Sequence, residues 1–238
     1  MATKKHALKI DKEVREALGK LDVDMVGVAR IDALKDKRLK AAALALLPSA
    51  KSIVVMGMEI WPEFLDLTSP ERKMGAANLN DLYRRHTESL GGRLTGAAYG
   101  IARASRKAGL KALPLGYGGP SVDGRYLEAV VSYKHAAEAA GLGRIGMSSL
   151  LITEKYGPRV ELSLCLTEAA PEPGAFIEEH ICRYCNVCVL KCPAQALSRP
   201  APDEAYALNK FACRTYMEAA GGCSECVRAC PIASPRYE

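Results

Sequence analysis

Eight of the nine cysteines in this 238-residue chain lie in its last quarter, and their spacing constrains the fold more than any other feature. They form two arrays, Cys182-x2-Cys185-x2-Cys188-x3-Cys192-Pro193 and Cys213-x9-Cys223-x2-Cys226-x3-Cys230-Pro231. Three thiolates set every third residue can converge on three irons of one cube. A fourth, one residue further on and followed by proline, is carried away to a second cube. The pattern predicts two [4Fe–4S] clusters with interleaved ligands, one on Cys182, Cys185, Cys188 and Cys230, the other on Cys192, Cys213, Cys223 and Cys226. Cys213 fills the gap left by a second array in which only three cysteines are closely spaced. Electron handling is the expected chemistry.

Two other uses of cysteine fit less well. Structural zinc takes its four ligands as two separated pairs, and three cysteines within seven residues followed by a fourth over-supply one tetrahedron. Disulfides need an oxidising compartment, and the start Met1-Ala-Thr-Lys-Lys-His6 leads into an amphipathic stretch without the apolar core of a secretory signal. The longest apolar run, Ala41 to Leu47, ends at Pro48, far short of the roughly 18 residues a membrane helix requires. A soluble, cytoplasmic protein with no membrane association is expected.

The formal charge of +6 counts the cysteines as neutral. Each cubane held by four thiolates carries about −2, which brings the total to about +2. The basic balance is then weak support for a nucleic-acid partner. The remaining cationic feature is Arg84, Arg85, Arg93, Arg103, Arg106, Lys107 and Lys111, read either as a solvated helix face or as a phosphate-binding surface.

Ahead of the cysteines, helical and strand patterns alternate in a chain long enough for one sizeable core and a small appended module. Leu8, Ile10, Val14, Ala17 and Leu18 make a helical stripe over 7–19. Short apolar runs at 25–31 and 52–58 read as buried strands, separated by a helix over 33–46 that Pro48 closes. A long helical stretch occupies 70–109, with a possible break at Gly91-Gly92, and 111–116 reads as extended. Gly116-Tyr-Gly-Gly-Pro120 is a loop. Residues 125–140 are expected to return to helix, burying Leu127, Val130, Val131, Ala137 and Ala140 and stopping at Gly141. Residues 159–167 alternate with period two as a half-buried strand, with the ninth cysteine, Cys165, on the polar parity as a small packed side chain. Pro171-Glu-Pro173-Gly174 is the expected linker, giving domains over 1–174 and 175–238.

Tyr133-Lys-His-Ala-Ala-Glu-Ala-Ala-Gly-Leu-Gly-Arg-Ile-Gly-Met-Ser-Ser-Leu-Leu-Ile-Thr153, then Tyr156-Gly-Pro-Arg-Val160, together with Leu47-Pro48-Ser49-Ala50-Lys51-Ser52 and the cysteine arrays, resembles the epoxyqueuosine reductases and their relatives, the reductive dehalogenases. The likeness covers about residues 20–232 and rests on the joint order of these segments. It implies an α+β architecture: a nitroreductase-like layered helix and sheet domain that binds a corrinoid such as cobalamin, followed by a two-cluster ferredoxin-like module. The corrinoid is then expected against Gly141, Leu142, Gly143, Gly146 and Ser148. Read from the residues alone, the three glycines serve equally as a surface where backbone can approach a flat macrocycle or as a helix stop and tight turn. The histidines His6, His86, His135 and His180 lie outside any Asp-x-His-x-x-Gly lower-ligand motif, so cobalt is expected to lack a protein imidazole. As proton donors the resemblance offers Asp123, eighteen residues before Gly141, and Tyr133, which also reads as a buried structural tyrosine.

The chain departs from these families where epoxyqueuosine reductases generally read Gly-Lys-Asn and it reads Gly146-Met147-Ser148. With eight residues after Cys230, it is expected to lack the helical-repeat domain of epoxyqueuosine reductases and the twin-arginine signal of dehalogenases. The expectation is a minimal core that reduces a small electrophile, with a low-potential donor such as ferredoxin or flavodoxin, and with tRNA not a partner. The alternative is an electron carrier or reductive activator serving a partner corrinoid protein. A homodimer is expected by analogy with nitroreductase-like folds.

Overall fold

A computed structural model describes residues 13–69 and 79–233. The helix expected over 7–19 and the one over 70–109 therefore lie partly outside the described residues, as does His6. The chain forms two compact units. One comprises the chain up to Met58, Gly91–Leu142 and Leu162–Ile177; the other comprises Glu59–Leu90, Gly143–Glu161 and the chain from Glu178 onward. The unit that carries the cysteine arrays thus also takes in two segments from the first three quarters of the sequence.

The first unit is built on a four-stranded sheet of order β1-β2-β6-β3, from β1 (Met25–Arg30), β2 (Ser52–Glu59), β3 (Ala112–Tyr117) and β6 (Val160–Thr167). β1 pairs antiparallel with β2, and β3 with β6. The two inner strands are covered on both faces, so β2 is buried from Ser52 to Met58. Here the expected half-buried pattern of β6 is corrected: from Ser163 onward both parities are buried. The polar side chains on the supposedly solvent-facing parity are satisfied internally, Ser163 by donating to the Leu94 carbonyl at 3.0 Å and Thr167 by pairing with Ser105 at 2.9 Å. Cys165 shares that parity and is fully buried; burial pushes its thiol up to about 12.

Residues 13–18 are helical (α1). α2 (Lys37–Leu46) begins later than the apolar pattern suggests, because Asp36 caps it by accepting from the Arg38 and Leu39 N–H groups at 2.9 and 3.0 Å. α4 (Asn80–Lys107) runs unbroken through Gly91 and Gly92. Within the first unit it buries Leu94, Ala98, Ile101, Ala102 and Ser105 on one stripe. Gly91 is there for close approach, since a Cβ would stand 2.4 Å from Tyr117 Cδ1.

The helix expected over 125–140 shortens to α5 (Tyr133–Ala139). Upstream, Tyr126 takes a left-handed conformation at φ 55°. The chain doubles back there, with Val122 N–H donating to the Glu128 carbonyl at 2.9 Å and Val130 N–H to the Pro120 carbonyl at 2.8 Å. These turn bonds compete with helix. Leu127 and Val130 are half-buried, while Val131, Ala137 and Ala140 lie in the core as expected.

The second unit opens with α3 (Pro62–Leu67), whose first position is proline, where the missing N–H costs nothing. A short hairpin pairs β4 (Arg144–Ile145) with β5 (Leu151–Ile152), and another pairs β7 (Leu197–Ser198) with β8 (Ala207–Leu208). The cysteine-bearing helices are α6 (Val187–Leu190), α7 (Lys210–Ala219) and α8 (Glu225–Arg228). Arg159, 4% exposed, is paired with Glu59 and donates to the Ile60 carbonyl at 3.1 Å, so this buried charge is neutralised and hydrogen-bonded.

Candidate metal centre

The first array is bent by left-handed residues on either side of Cys185, Tyr184 at φ 51° and Asn186 at φ 62°. Side chains with a Cβ enter that region only where their surroundings hold them. α6 then starts directly after Asn186 and carries Cys188. The result is a single recess in the second unit lined by Cys182, Cys185, Cys188 and Cys230, together with Met147, Ser148, Ile152 and Ile232. These are the four cysteines that the spacing assigns to one cluster.

The thiols also act on one another. Burial first, then the thiols of Cys182, Cys185 and Cys230, raise Cys188 above the usual cysteine range, while the Val189 N–H works the other way. In the second set, burial and then Cys223, Cys213 and Cys192 push Cys226 up to about 12, with Cys188 contributing least. Burial raises Cys213, aided by Cys223 and Cys192. It raises Cys223 too, opposed by the Glu225 N–H and helped by the Glu225 carboxylate and Cys192. The Ala196 N–H donates to Cys192 Sγ at 3.3 Å. The eight thiols therefore fall into two groups of four, and the two touch electrostatically through Cys188 and Cys226.

Sulfur donors in fours suit zinc or iron–sulfur clusters. Bound metal would take the thiolate form and release the protons that burial and neighbouring thiols now hold on. Zinc would draw four sulfurs to about 2.3 Å from one point. Among the described residues no three Cys, His, Asp or Glu side chains close on a point in that way.

The glycine segment 141–146 is occupied by the chain itself. In the first unit, a Cβ on Gly141 would stand 2.1 Å from the Ala175 carbonyl oxygen, and Leu142 packs where a Cβ on Gly27 would lie 2.9 Å from its Cγ. In the second, a Cβ on Gly143 would meet the Ile152 carbonyl oxygen at 2.3 Å, and one on Gly146 would meet Ile152 Cγ1 at 2.7 Å and Cys182 Cβ at 3.2 Å. The turn and close-packing need is thus met by protein atoms. Ser148, 7% exposed, lines the cysteine recess.

The two candidate acids differ in what they can donate. Tyr133 has a buried hydroxyl with no hydrogen-bond partner, set against Gly119, where a Cβ would come within 2.9 Å of that oxygen. Burial raises the phenol well above its ordinary range, so it keeps its proton at any physiological pH. Asp123 is paired with Arg125, whose side-chain hydrogen bond holds the carboxyl below its usual range. At neutral pH Asp123 has no proton to give.

His135 Nδ1 lies 2.6 Å from Ser132 Oγ, and burial lowers its pKa. His86 stacks on Phe64 at 4.1 Å and accepts from the Trp61 N–H at 3.1 Å, which accounts for it structurally. His180 packs edge-on to Tyr184. Of the basic residues weighed as a phosphate surface, Arg84 is paired with Asp81 and Glu88, Arg85 with Asp81, and Arg93 with Asp22. Two features of the centre had no local signal in the sequence. One is the approach of the 146–149 turn to Cys182; the other is the docking of Thr68 on Ser224, Oγ to Oγ at 2.8 Å.

No family model matches the chain. In sequence it is 33% identical over 153 residues to a tetrachloroethene reductive dehalogenase of Desulfitobacterium hafniense, covering 56% of this chain and 26% of that protein. It is 29% identical over 113 residues to the epoxyqueuosine reductase of Bacillus subtilis, covering 43% of this chain and 29% of that protein. The chain thus spans about a quarter of the length of these curated relatives. In structure it resembles a catabolic reductive dehalogenase solved with 3-bromo-4-hydroxybenzoic acid, with a TM-score of 0.69 at 17% identity over 93% of this chain and 31% of that one. It also resembles a selenomethionine-labelled epoxyqueuosine reductase, with a TM-score of 0.58 at 19% identity over 97% and 67%. These structural likenesses establish the mixed helix and sheet fold. Among the described residues no helix is long and apolar enough to cross a membrane.

Proposed function

We propose that this chain, a relative of the reductive dehalogenases and epoxyqueuosine reductases in sequence and in fold, is a corrinoid-dependent iron–sulfur reductase of a small electrophilic molecule. Cys182, Cys185, Cys188 and Cys230 hold one [4Fe–4S] cluster and Cys192, Cys213, Cys223 and Cys226 the other, in a ferredoxin-like module. The recess lined by all four cysteines of the first set carries this reading. When bound, the clusters supply single electrons and the corrinoid a strongly reducing metal centre, the hard chemistry being the cofactors' own.

The protein's part is to hold, shield and protonate. The thiols are half-buried except for the exposed Cys185, and this partial shielding from water is one of the factors that set cluster potential. Tyr133 is the proton donor: its hydroxyl is protonated, buried and free of internal partners, so nothing in the chain competes for the proton. Asp123 serves to hold Arg125 and the 121–129 turn, where it also accepts from the Arg125 N–H at 2.9 Å. The substrate is a small molecule and not tRNA, a reading supported by the carboxylates of Asp81, Glu88 and Asp22 that stand beside Arg84, Arg85 and Arg93 and offset their charge. The electron donor is a low-potential carrier of the ferredoxin or flavodoxin kind.

The close packing at Gly141, Gly143 and Gly146 favours keeping a second reading, an electron carrier for a partner corrinoid protein, since these glycines need no macrocycle to explain them. One preparation separates the two. Protein purified anaerobically with cobalamin supplied should carry about eight irons per chain and show stoichiometric corrinoid absorption. Iron without corrinoid supports the carrier; about four irons, or zinc, overturns the two-cluster reading.

A further inference from the structure

We infer that Ser148 is a positioning residue of the iron–sulfur centre, its hydroxyl donating a hydrogen bond to sulfur of the cluster held by Cys182, Cys185, Cys188 and Cys230. This rests on the two-cluster reading above and departs from the corrinoid role that the family likeness suggests for Ser148.

Three observations place it there. The recess that gathers those four cysteines is lined by Ser148 and Met147 from a different part of the sequence. The turn that carries them is locked, with Gly146 N–H donating to the Leu150 carbonyl and Ser149 N–H to the Gly146 carbonyl, both at 2.9 Å. Ser149 takes the left-handed conformation at φ 65°. The turn also reaches the ligands themselves, because a Cβ on Gly146 would stand 3.2 Å from Cys182 Cβ. Besides the four cysteines, the recess is lined by Met147, Ile152, Pro231 and Ile232, by Arg183, which can only donate, and by Asn186, so the side-chain acceptors around a hydroxyl there are thiolate or cluster sulfur and the Asn186 amide oxygen.

Hydrogen bonds to the sulfurs are one of the terms that set the potential of such clusters. A reduced cluster carries one more negative charge than the oxidised form, so a donor favours it and raises the midpoint potential. No proton changes hands in that step.

The test is a potentiometric titration of the anaerobically reconstituted full chain, followed by electron paramagnetic resonance, with iron and sulfide analysed on the same samples. In Ser148→Ala, one of the two midpoint potentials should move to more negative values while the other stays and iron content is unchanged. Ser148→Thr, which keeps the hydroxyl, should restore it. If both potentials are unmoved at full iron content, or if Ser148→Ala changes cobalamin affinity and neither potential, the inference is overturned and Ser148 returns to the corrinoid. If the unaltered protein holds no cubane clusters, it is the two-cluster reading that fails, and iron analysis alone reveals this.

Discussion

Thr68 Oγ1 and Ser224 Oγ lie 2.8 Å apart, joining the end of α3 to the residue that follows Cys223. Ser224 is 4% exposed, so its hydroxyl left without Thr68 is a buried polar group without that partner. Thr68 also donates to the Leu65 carbonyl at 2.7 Å, which leaves Ser224 the natural donor in the pair. The link ties a segment from the first third of the sequence to the loop that carries Cys223 and Cys226.

Thr68→Val should therefore cost about 1–3 kcal/mol, the range for an orphaned buried hydroxyl, read as a lower denaturation midpoint. The second variant, Thr68→Ser, keeps the hydroxyl and should recover most of that loss. Equal stability of Thr68→Val and the unaltered protein would show that Ser224 finds another partner.

Tyr133→Phe removes a buried hydroxyl with no internal partner and should leave stability unchanged or raise it by about 1 kcal/mol. Loss of the proton donor should nevertheless slow reduction of an electrophile such as a halogenated phenol or an epoxide by about 10²–10⁴-fold. A variant that is destabilised and fully active would assign Tyr133 to packing. Asp123→Asn, by contrast, should lower turnover little, because its carboxyl is ionised and paired with Arg125.

Cys213→Ala should remove one cluster and keep the other, so iron falls from about eight to about four per chain. Cys213 is raised by Cys223 and Cys192 and not by the thiols of the first recess, which is why the loss should be selective. Retention of both clusters would mean that another group completes the second set.

Cys165 is the group whose pH dependence is cleanest. Its thiol titrates near 9 when unfolded and at about 12 when buried, so the folded state holds the proton more tightly. That stabilisation is complete below about pH 9 and is lost as pH rises toward 12, at up to about 1.4 kcal/mol per pH unit. Unfolding measured at pH 8 and pH 10 should show a steeper loss for the unaltered protein than for Cys165→Ala. Identical slopes would mean that the thiol is not buried in solution.

The sequence was most legible where spacing alone carries the geometry. The two sets of four cysteines are an expectation from residue intervals; the first set lines one recess, and the thiols that raise one another keep to their own set except for Cys188 acting on Cys226. β1 and β2 were legible as short apolar runs bounded by polar residues. Legibility failed where a distant segment decides. The period of two in β6 is real, yet its polar parity is buried because Leu94 and Ser105 of α4 supply partners for Ser163 and Thr167. The helix expected over 125–140 has the right apolar residues but loses its first half to the Ser121–Ala129 turn, set by the left-handed Tyr126. Neither Ser148 at the cysteine recess nor Thr68 on Ser224 has any local signature, since both contacts close loops of dozens of residues.

The adjacent glycines 91 and 92 make the last test, because they look alike in sequence and differ in space. At Gly91 a Cβ would collide with the Tyr117 ring at 2.4 Å, whereas at Gly92 nothing lies within 4 Å. α4 runs through both, so each pays the helical cost of glycine, about 1 kcal/mol against alanine. Gly92→Ala should therefore stabilise the protein by about that amount, while Gly91→Ala should cost about 1–3 kcal/mol by overpacking Tyr117. Opposite shifts of the denaturation midpoint are the expected result. Gains of similar size in both variants would show that Tyr117 moves aside freely and that the contact does not fix β3 against α4.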